Sequence, residues 1–406
     1  MFYKDDLGVK IMDKYMTEIS IIKEIVDADF DEKLKIYHNY SDIINDYTIT
    51  FVDEEYGIDN YRYMLDVLGI DSKLIFSPFH TNKLFTLFPG FVSPLSPLAY
   101  FYDISLDTSI VSYIDRFQRG LELETNSLSM VRELGKHRRF ASTVNLSPYL
   151  NENCLFKGKV DELHIENIYN FFFYLNKFHH KFNWVAKRES KKATELIVKN
   201  QELLFNSPLA DRFKHQFKII HSTMLKMALI NLCKADKKRK ILTLLDFMAT
   251  DIKAMDICLL EISAIYFLKK QALSFFGKVQ KGNSKILETI RNLSWDIFHL
   301  RYQEFLLSIK PVKRADVNLV LFCTLDRRLL EIKDIIKLKA VAYNSKTLNY
   351  YPFYHSESVL KLLSTEEISK YFNAESHFDR ISKKTKIDYD TLISDLEREV
   401  EKEYSK

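Results

Sequence analysis

The stretch that most limits the fold is Val317-Asn-Leu-Val-Leu-Phe-Cys323. A continuous apolar run of this length suits a strand buried on both faces, and such a strand needs packing partners above and below it. It leads into Thr324-Leu-Asp326-Arg-Arg-Leu-Leu330, which reads as a turn followed by a helix. A second segment has the same design. Residues 98–106 are rich in β-branched and aromatic types, and predict a strand that ends near Asp107, where Thr108 and Ser109 open a helix. The chain has 406 residues, 47% of them hydrophobic, with only 9 Gly and 8 Pro, so there is enough apolar material to enclose such strands in a large core.

Around these two segments the pattern is helical. Tyr15, Ile19, Ile22, Ile25 and Val26 recur at helical spacing in residues 1–71. Pro78, Pro89, Pro94 and Pro97 then mark a connector, because each removes a helical donor. Residues 115–240 read as a helical insertion with a loop at 147–158, and residues 241–307 as two or three long helices. A further strand is expected at 339–343, and the charged segment 366–406 reads as helix. The expected organisation is an N-terminal helical region with its connector (1–95), an α/β domain (96–345) with an insertion at about 120–240, and a C-terminal helical tail (346–406).

Charge and cysteine usage narrow the function. A net charge of +4 is mild, so any nucleic-acid surface must be local. Cys154, Cys233, Cys258 and Cys323 are scattered without zinc spacing and read as reduced thiols. The first ten residues carry charge where a signal peptide would be apolar, and no apolar stretch approaches the roughly 20 residues of a membrane span. The expectation is a soluble cytoplasmic protein with no membrane partner. No phosphate-loop, nucleophile-elbow or zinc-protease motif occurs, which weighs against those classes.

The acids carry the functional signal. Ligands in open α/β sheets bind outside the carboxyl ends of strands, so Asp107 and Asp326 could converge on one crevice. Such a cluster is costly without a cation. Glu261 and Asp296 sit inside apolar helical segments, where a lone acid needs a partner. Asp103 competes with Asp107 for the first position, and Asp251 and Asp256 compete with Glu261. The bland alternatives are helix N-caps at Asp107 and Asp326, with Arg327 and Arg328 as pairing neighbours, and a structural ion pair at Glu261, for example with Lys269.

Taken in order, Ile104-Ser-Leu-Asp107-Thr-Ser, Leu260-Glu261-Ile, Trp295-Asp296-Ile-Phe and Cys323-Thr-Leu-Asp326-Arg-Arg resemble the acidic motifs of PIN-like nucleases. The resemblance implies a PIN-like parallel sheet flanked by helices, interrupted by a large helical insertion. It implies Asp107, Glu261, Asp296 and Asp326 as catalytic acids holding Mg²⁺ or Mn²⁺, with Thr324 as a supporting hydroxyl. It further implies hydrolysis of phosphodiester bonds by a metal-activated water, in RNA in preference to DNA. Arg138, Arg139, Lys237, Lys238 and Arg239 are the candidate nucleic-acid contacts from the basic runs, and the helical regions could bind a protein partner. The rival is a non-enzymatic helical interaction or regulatory protein whose carboxylates cap helices and form structural ion pairs.

Overall fold

A computed structural model of the chain describes residues 16–52, 58–59, 75–79, 81, 83–90, 100–135, 144–156, 160–176, 183–268, 274–309, 317–373, 376, 379–380 and 387–405. The fold is mixed α/β, mostly helical, with two small sheets. Nine strands are described: β1 (Tyr47–Val52), β2 (Ile58–Asp59), β3 (Ile75–Phe76), β4 (Lys83–Leu87), β5 (Tyr100–Leu106), β6 (Val144–Asn145), β7 (Val317–Cys323), β8 (Leu338–Asn344) and β9 (Asn349–Tyr354).

The mixed α/β class is as expected, but the described strands do not show a PIN-like parallel sheet. The five-stranded sheet, β2-β4-β1-β8-β9, is antiparallel throughout. The four-stranded sheet, β3-β7-β5-β6, is mixed: β5 runs parallel to both β6 and β7, and β3 lies antiparallel on the outside of β7. The two segments read as strands from the sequence are thus neighbours, in register from Tyr100↔Val317 to Leu106↔Cys323. Ile104, Leu106 and residues 319–323 are almost wholly buried, as a two-faced apolar strand requires.

The N-terminal region corrects the helical expectation. Residues 16–27 and Phe30–Asn39 are helical, but Tyr47-Thr-Ile-Thr-Phe-Val is a central strand, and the proline-marked stretch contributes β3 and β4. Pro94 and Pro97 lie outside the described residues. The expected strand at 339–343 is β8, but it pairs with β1 in the antiparallel sheet, and β9 replaces helix at the start of the C-terminal segment. One face of this sheet meets Ile22, Ile25 and Tyr37 of the N-terminal helices through Ile49, Phe51, Ala340 and Ala342. Val52, Leu84 and Val341 join the main core on the other side.

Three long helices follow the insertion, as expected: Lys237–Thr250, Ile257–Leu268 and Ile286–Ser308. The last packs against β7, β8 and β1 and so bridges the two sheets. Most of its residues from Leu293 onward are buried. Among the described residues, no helix is long and apolar enough to cross a membrane.

Candidate acidic site and its basic cleft

Leaving β5 the chain crosses to β6 on one side, and leaving β6 it returns to β7 on the other. The carboxyl ends of β5 and β7 therefore flank a point where the connections diverge, the place where open α/β sheets leave a crevice. The Asp107 amide extends the ladder by one bond, donating to the Cys323 carbonyl at 3.0 Å. This holds Asp107 beside Thr324.

Asp107 occupies the N-cap position of the Thr108–Gln118 helix, but its side chain does not cap that helix. Instead Asp107 Oδ2 accepts from Thr324 Oγ1 and from Ser109 Oγ, both at 2.7 Å. Thr324 Oγ1 in turn accepts from the Asp326 amide at 3.0 Å, so the supporting hydroxyl couples the two aspartates. Asp326 does cap its helix, Arg327–Ile335, through the Arg328 amide at 2.9 Å, and the Arg328 guanidinium also grips both carboxylate oxygens. Burial pushes the Asp326 carboxyl up, and the Arg328 hydrogen bonds and charge outweigh it, so the group is held below the usual carboxylate range.

Asp296 comes from the Ile286–Ser308 helix and faces the same place. Its acid is raised well above the ordinary value, first by burial and then by the charges of Asp107, Asp326 and Glu152, against Arg328. No hydrogen bond reaches its carboxylate from the described residues. Three of the four sequence-predicted acids are therefore within reach of one another's charge.

The fourth is not. Glu261, 3% exposed, accepts from the amides of Ser358 at 2.9 Å and Val359 at 3.0 Å. It caps the short Glu357–Leu360 helix, whose own N-cap residue Ser356 makes no side-chain cap bond. The Glu261 carboxyl is raised by burial, which the two amides only partly offset. The competing Asp256 is taken by Arg301, at 2.9 Å, and Asp251 accepts from Thr250 Oγ1. Asp103 lies on β5, where Asn145 Nδ2 donates to it at 2.9 Å; burial raises its acid to about 6 against that bond and one from Ser105.

Glu152 is the acid that sequence reasoning missed. The stretch 147–158, expected as a loop, contains the helix Ser147–Cys154, and Thr108 Oγ1 donates to Glu152 Oε2 at 2.6 Å. The available signal was Ser147-Pro148, since proline in a first turn marks a helix start. His299, one turn beyond Asp296 and 1% exposed, is a second missed group. Burial lowers its pKa more than the charges of Glu152 and Asp107 raise it, so the ring is neutral at the edge of the acids.

The donor set is all oxygen, the chemistry that Mg²⁺ and Mn²⁺ prefer. The placement is looser than a formed metal centre: among the described residues, no three His, Cys, Asp or Glu side chains are gathered closely enough to hold an ion. Asp296 and Arg328 also line an open cleft of about 480 Å³, whose wall carries Lys278, Lys281 and Lys285. The basic residues expected from sequence are elsewhere. Arg138 and Arg139 lie outside the described residues; Lys237 donates to the Leu268 carbonyl and Lys238 pairs with Glu367, and neither they nor Arg239 line this cleft.

No family model, no curated protein and no solved structure matches the chain.

Proposed function

We propose that the chain is a nuclease that hydrolyses phosphodiester bonds at the crevice between the carboxyl ends of β5 and β7. The observation that carries this reading is Asp296, a half-buried carboxyl burdened by Asp107, Asp326 and Glu152 in the lining of a basic-walled cleft. Like charges gathered without neutralisation are destabilising, and such perturbed acids cluster at functional sites. The resemblance to PIN-like nucleases points the same way and supplies the preference for RNA over DNA.

For Asp107, Asp296 and Glu152 to hold Mg²⁺ or Mn²⁺ they would have to draw closer together than they stand, and the bound ion would then supply a water of lowered pKa and compensation for phosphate charge. The chain's own groups do the rest. Thr324 and Ser109 fix one oxygen of Asp107 and leave Oδ1 without a hydrogen bond from the described residues. Arg328 orients Asp326 and places a guanidinium on the cleft wall, where it can meet a phosphate oxygen. Asp296, whose acid is raised by burial and by its neighbouring carboxylates, is the group whose charged form a bound cation would most favour.

Four free thiols suit the cytoplasm, where we place the activity. The rival reading, a non-enzymatic interaction protein, draws on Glu261 and Asp326, both of which cap helices.

Cleavage of labelled single-stranded RNA and DNA with Mn²⁺ or Mg²⁺ tests the proposal. Wild type should cleave RNA faster, and Asp107→Asn and Asp296→Asn should lose activity by at least about a hundredfold while remaining folded. Absence of both cleavage and metal-induced stabilisation of the wild type moves the assignment to the interaction protein.

A further inference from the structure

The loop that joins Phe276 to the Ile286–Ser308 helix forms the wall of the cleft, and no part of the acid chemistry accounts for its composition. Among the described residues four cations line the cleft, Lys278, Lys281, Lys285 and Arg328, against two carboxylates, Glu288 and Asp296. Arg328 is held by Asp326, and Lys285 meets Glu288 at 3.6 Å with both side chains largely exposed, a pairing worth little in water. Lys278 and Lys281, both exposed, make no ion pair among the described residues.

We propose that this loop is a grip for the sugar-phosphate backbone of a single-stranded nucleic acid, with Lys278, Lys281 and Lys285 on the phosphates beside the bond that lies at Asp296. The proposal rests on the nuclease reading for the position of that bond. It adds a mode of substrate recognition.

The loop is built to keep its shape. Asn283 Nδ2 donates to the Lys278 carbonyl at 2.8 Å and to Thr289 Oγ1 at 3.1 Å, while Asn283 Oδ1 accepts from the Lys285 amide at 2.9 Å. Gly282 sits at φ +79, a conformation that favours glycine, and its amide donates to the Tyr404 carbonyl at 3.0 Å. Tyr404 is itself buried, with its hydroxyl on the Ala228 carbonyl at 3.1 Å. The three lysines are therefore presented from a backbone ordered before any ligand arrives, which lowers the ordering cost of binding.

The lining also says which part of the strand is held. Among the described residues no aromatic side chain lines the cleft, so these residues give bases nothing to stack on and recognition by them falls to the phosphates. Leu293, the one large apolar residue of the lining among the described residues, is 3% exposed and offers nothing to insert into a lipid surface. The Lys278 charge also reaches Asp326 and helps to lower its pKa, which ties the wall electrically to the acids.

The test is fluorescence anisotropy of one single-stranded sequence, as RNA and as DNA, titrated with the full chain in EDTA over a range of salt. Wild type should bind both with similar affinity across unrelated sequences. A Lys278→Ala, Lys281→Ala double variant should lose at least about tenfold in affinity at low salt, with a salt slope smaller by about 1.4, as two phosphate contacts on a single strand require. A wild type that binds neither strand, a variant that binds like wild type, or binding to anionic vesicles in preference to either strand overturns the grip. Loss of cleavage with lysine-dependent binding intact would sink the nuclease reading and leave the grip standing. Acid-dependent cleavage with binding indifferent to the lysines would do the reverse.

Discussion

Thr324 donates its hydroxyl to Asp107 at 2.7 Å although 217 residues separate them, and the same oxygen accepts the Asp326 amide. One buried side chain thus serves two aspartates from the ends of neighbouring strands. Replacing it by the isosteric valine leaves a buried carboxylate and a part-buried amide each short of a partner. Thr324→Val should cost about 1–3 kcal/mol in urea unfolding, and Thr324→Ser should recover most of it. If Val is tolerated without loss, the hydroxyl is not what orders these acids.

Glu261 gives the opposite expectation from the one its sequence context suggests. Because its oxygens are engaged with the amides of Ser358 and Val359, Glu261→Ala should destabilise the protein by about 1–3 kcal/mol and leave any metal-dependent cleavage per folded molecule unchanged. Glu261→Gln keeps one acceptor oxygen and should fall between. Calorimetry beside a single-turnover assay separates the two effects.

Asp296 should show a trade of stability against activity. Its folded pKa lies above the unfolded value of 3.8, so the folded state holds the proton more tightly. Stability from this group is full below that value and is lost as pH rises through the raised pKa. Asp296→Asn removes the charge, and should raise Tm at pH 7 relative to wild type, with the difference vanishing near pH 3, while abolishing cleavage. A variant that is less stable at every pH would mean that Asp296 is paired, not burdened.

Asp103 tests the same sign in a group with a defined window. Its pKa moves from 3.8 to about 6, so the folded state loses stability as pH climbs from about 4 to 6. Asp103→Asn should gain up to about 3 kcal/mol at pH 7 and nothing at pH 3.5, read from denaturant midpoints at several pH values. Cleavage should persist, since Asp103 is engaged with Asn145.

The two parallel strands were legible because β5 and β7 have apolar runs that only burial explains, and each passes directly into its turn and helix. β1 was not, because Tyr47-Thr-Ile-Thr-Phe-Val follows a run of genuine helical spacing and its partners, β4 and β8, lie 36 residues away at Thr86 and far later in the chain. Asp107, Asp296 and Asp326 were readable from context: an acid at the end of an apolar strand or on an apolar helical face has few explanations. Glu261 met the same test and failed it, because its partners are backbone amides, which leave no mark in the residue names. Glu152 was hidden by the opposite error, a helix of eight residues taken for loop.

The pairing of β5 with β7 also orders events in time. When Asp107 leaves the ribosome, Thr324 and Asp326 have not been made, and Ile104 and Leu106 have no parallel neighbour on that side. The intervening helices can form from local contacts, whereas closing the strands must bring together segments more than two hundred residues apart. Until β7 docks there is no crevice, and Asp296 lacks Asp326 as a neighbour. A nascent or truncated chain lacking β7 would carry the lysine loop without Thr324 and Asp326 beside it, so this cluster of acids is completed only late in synthesis.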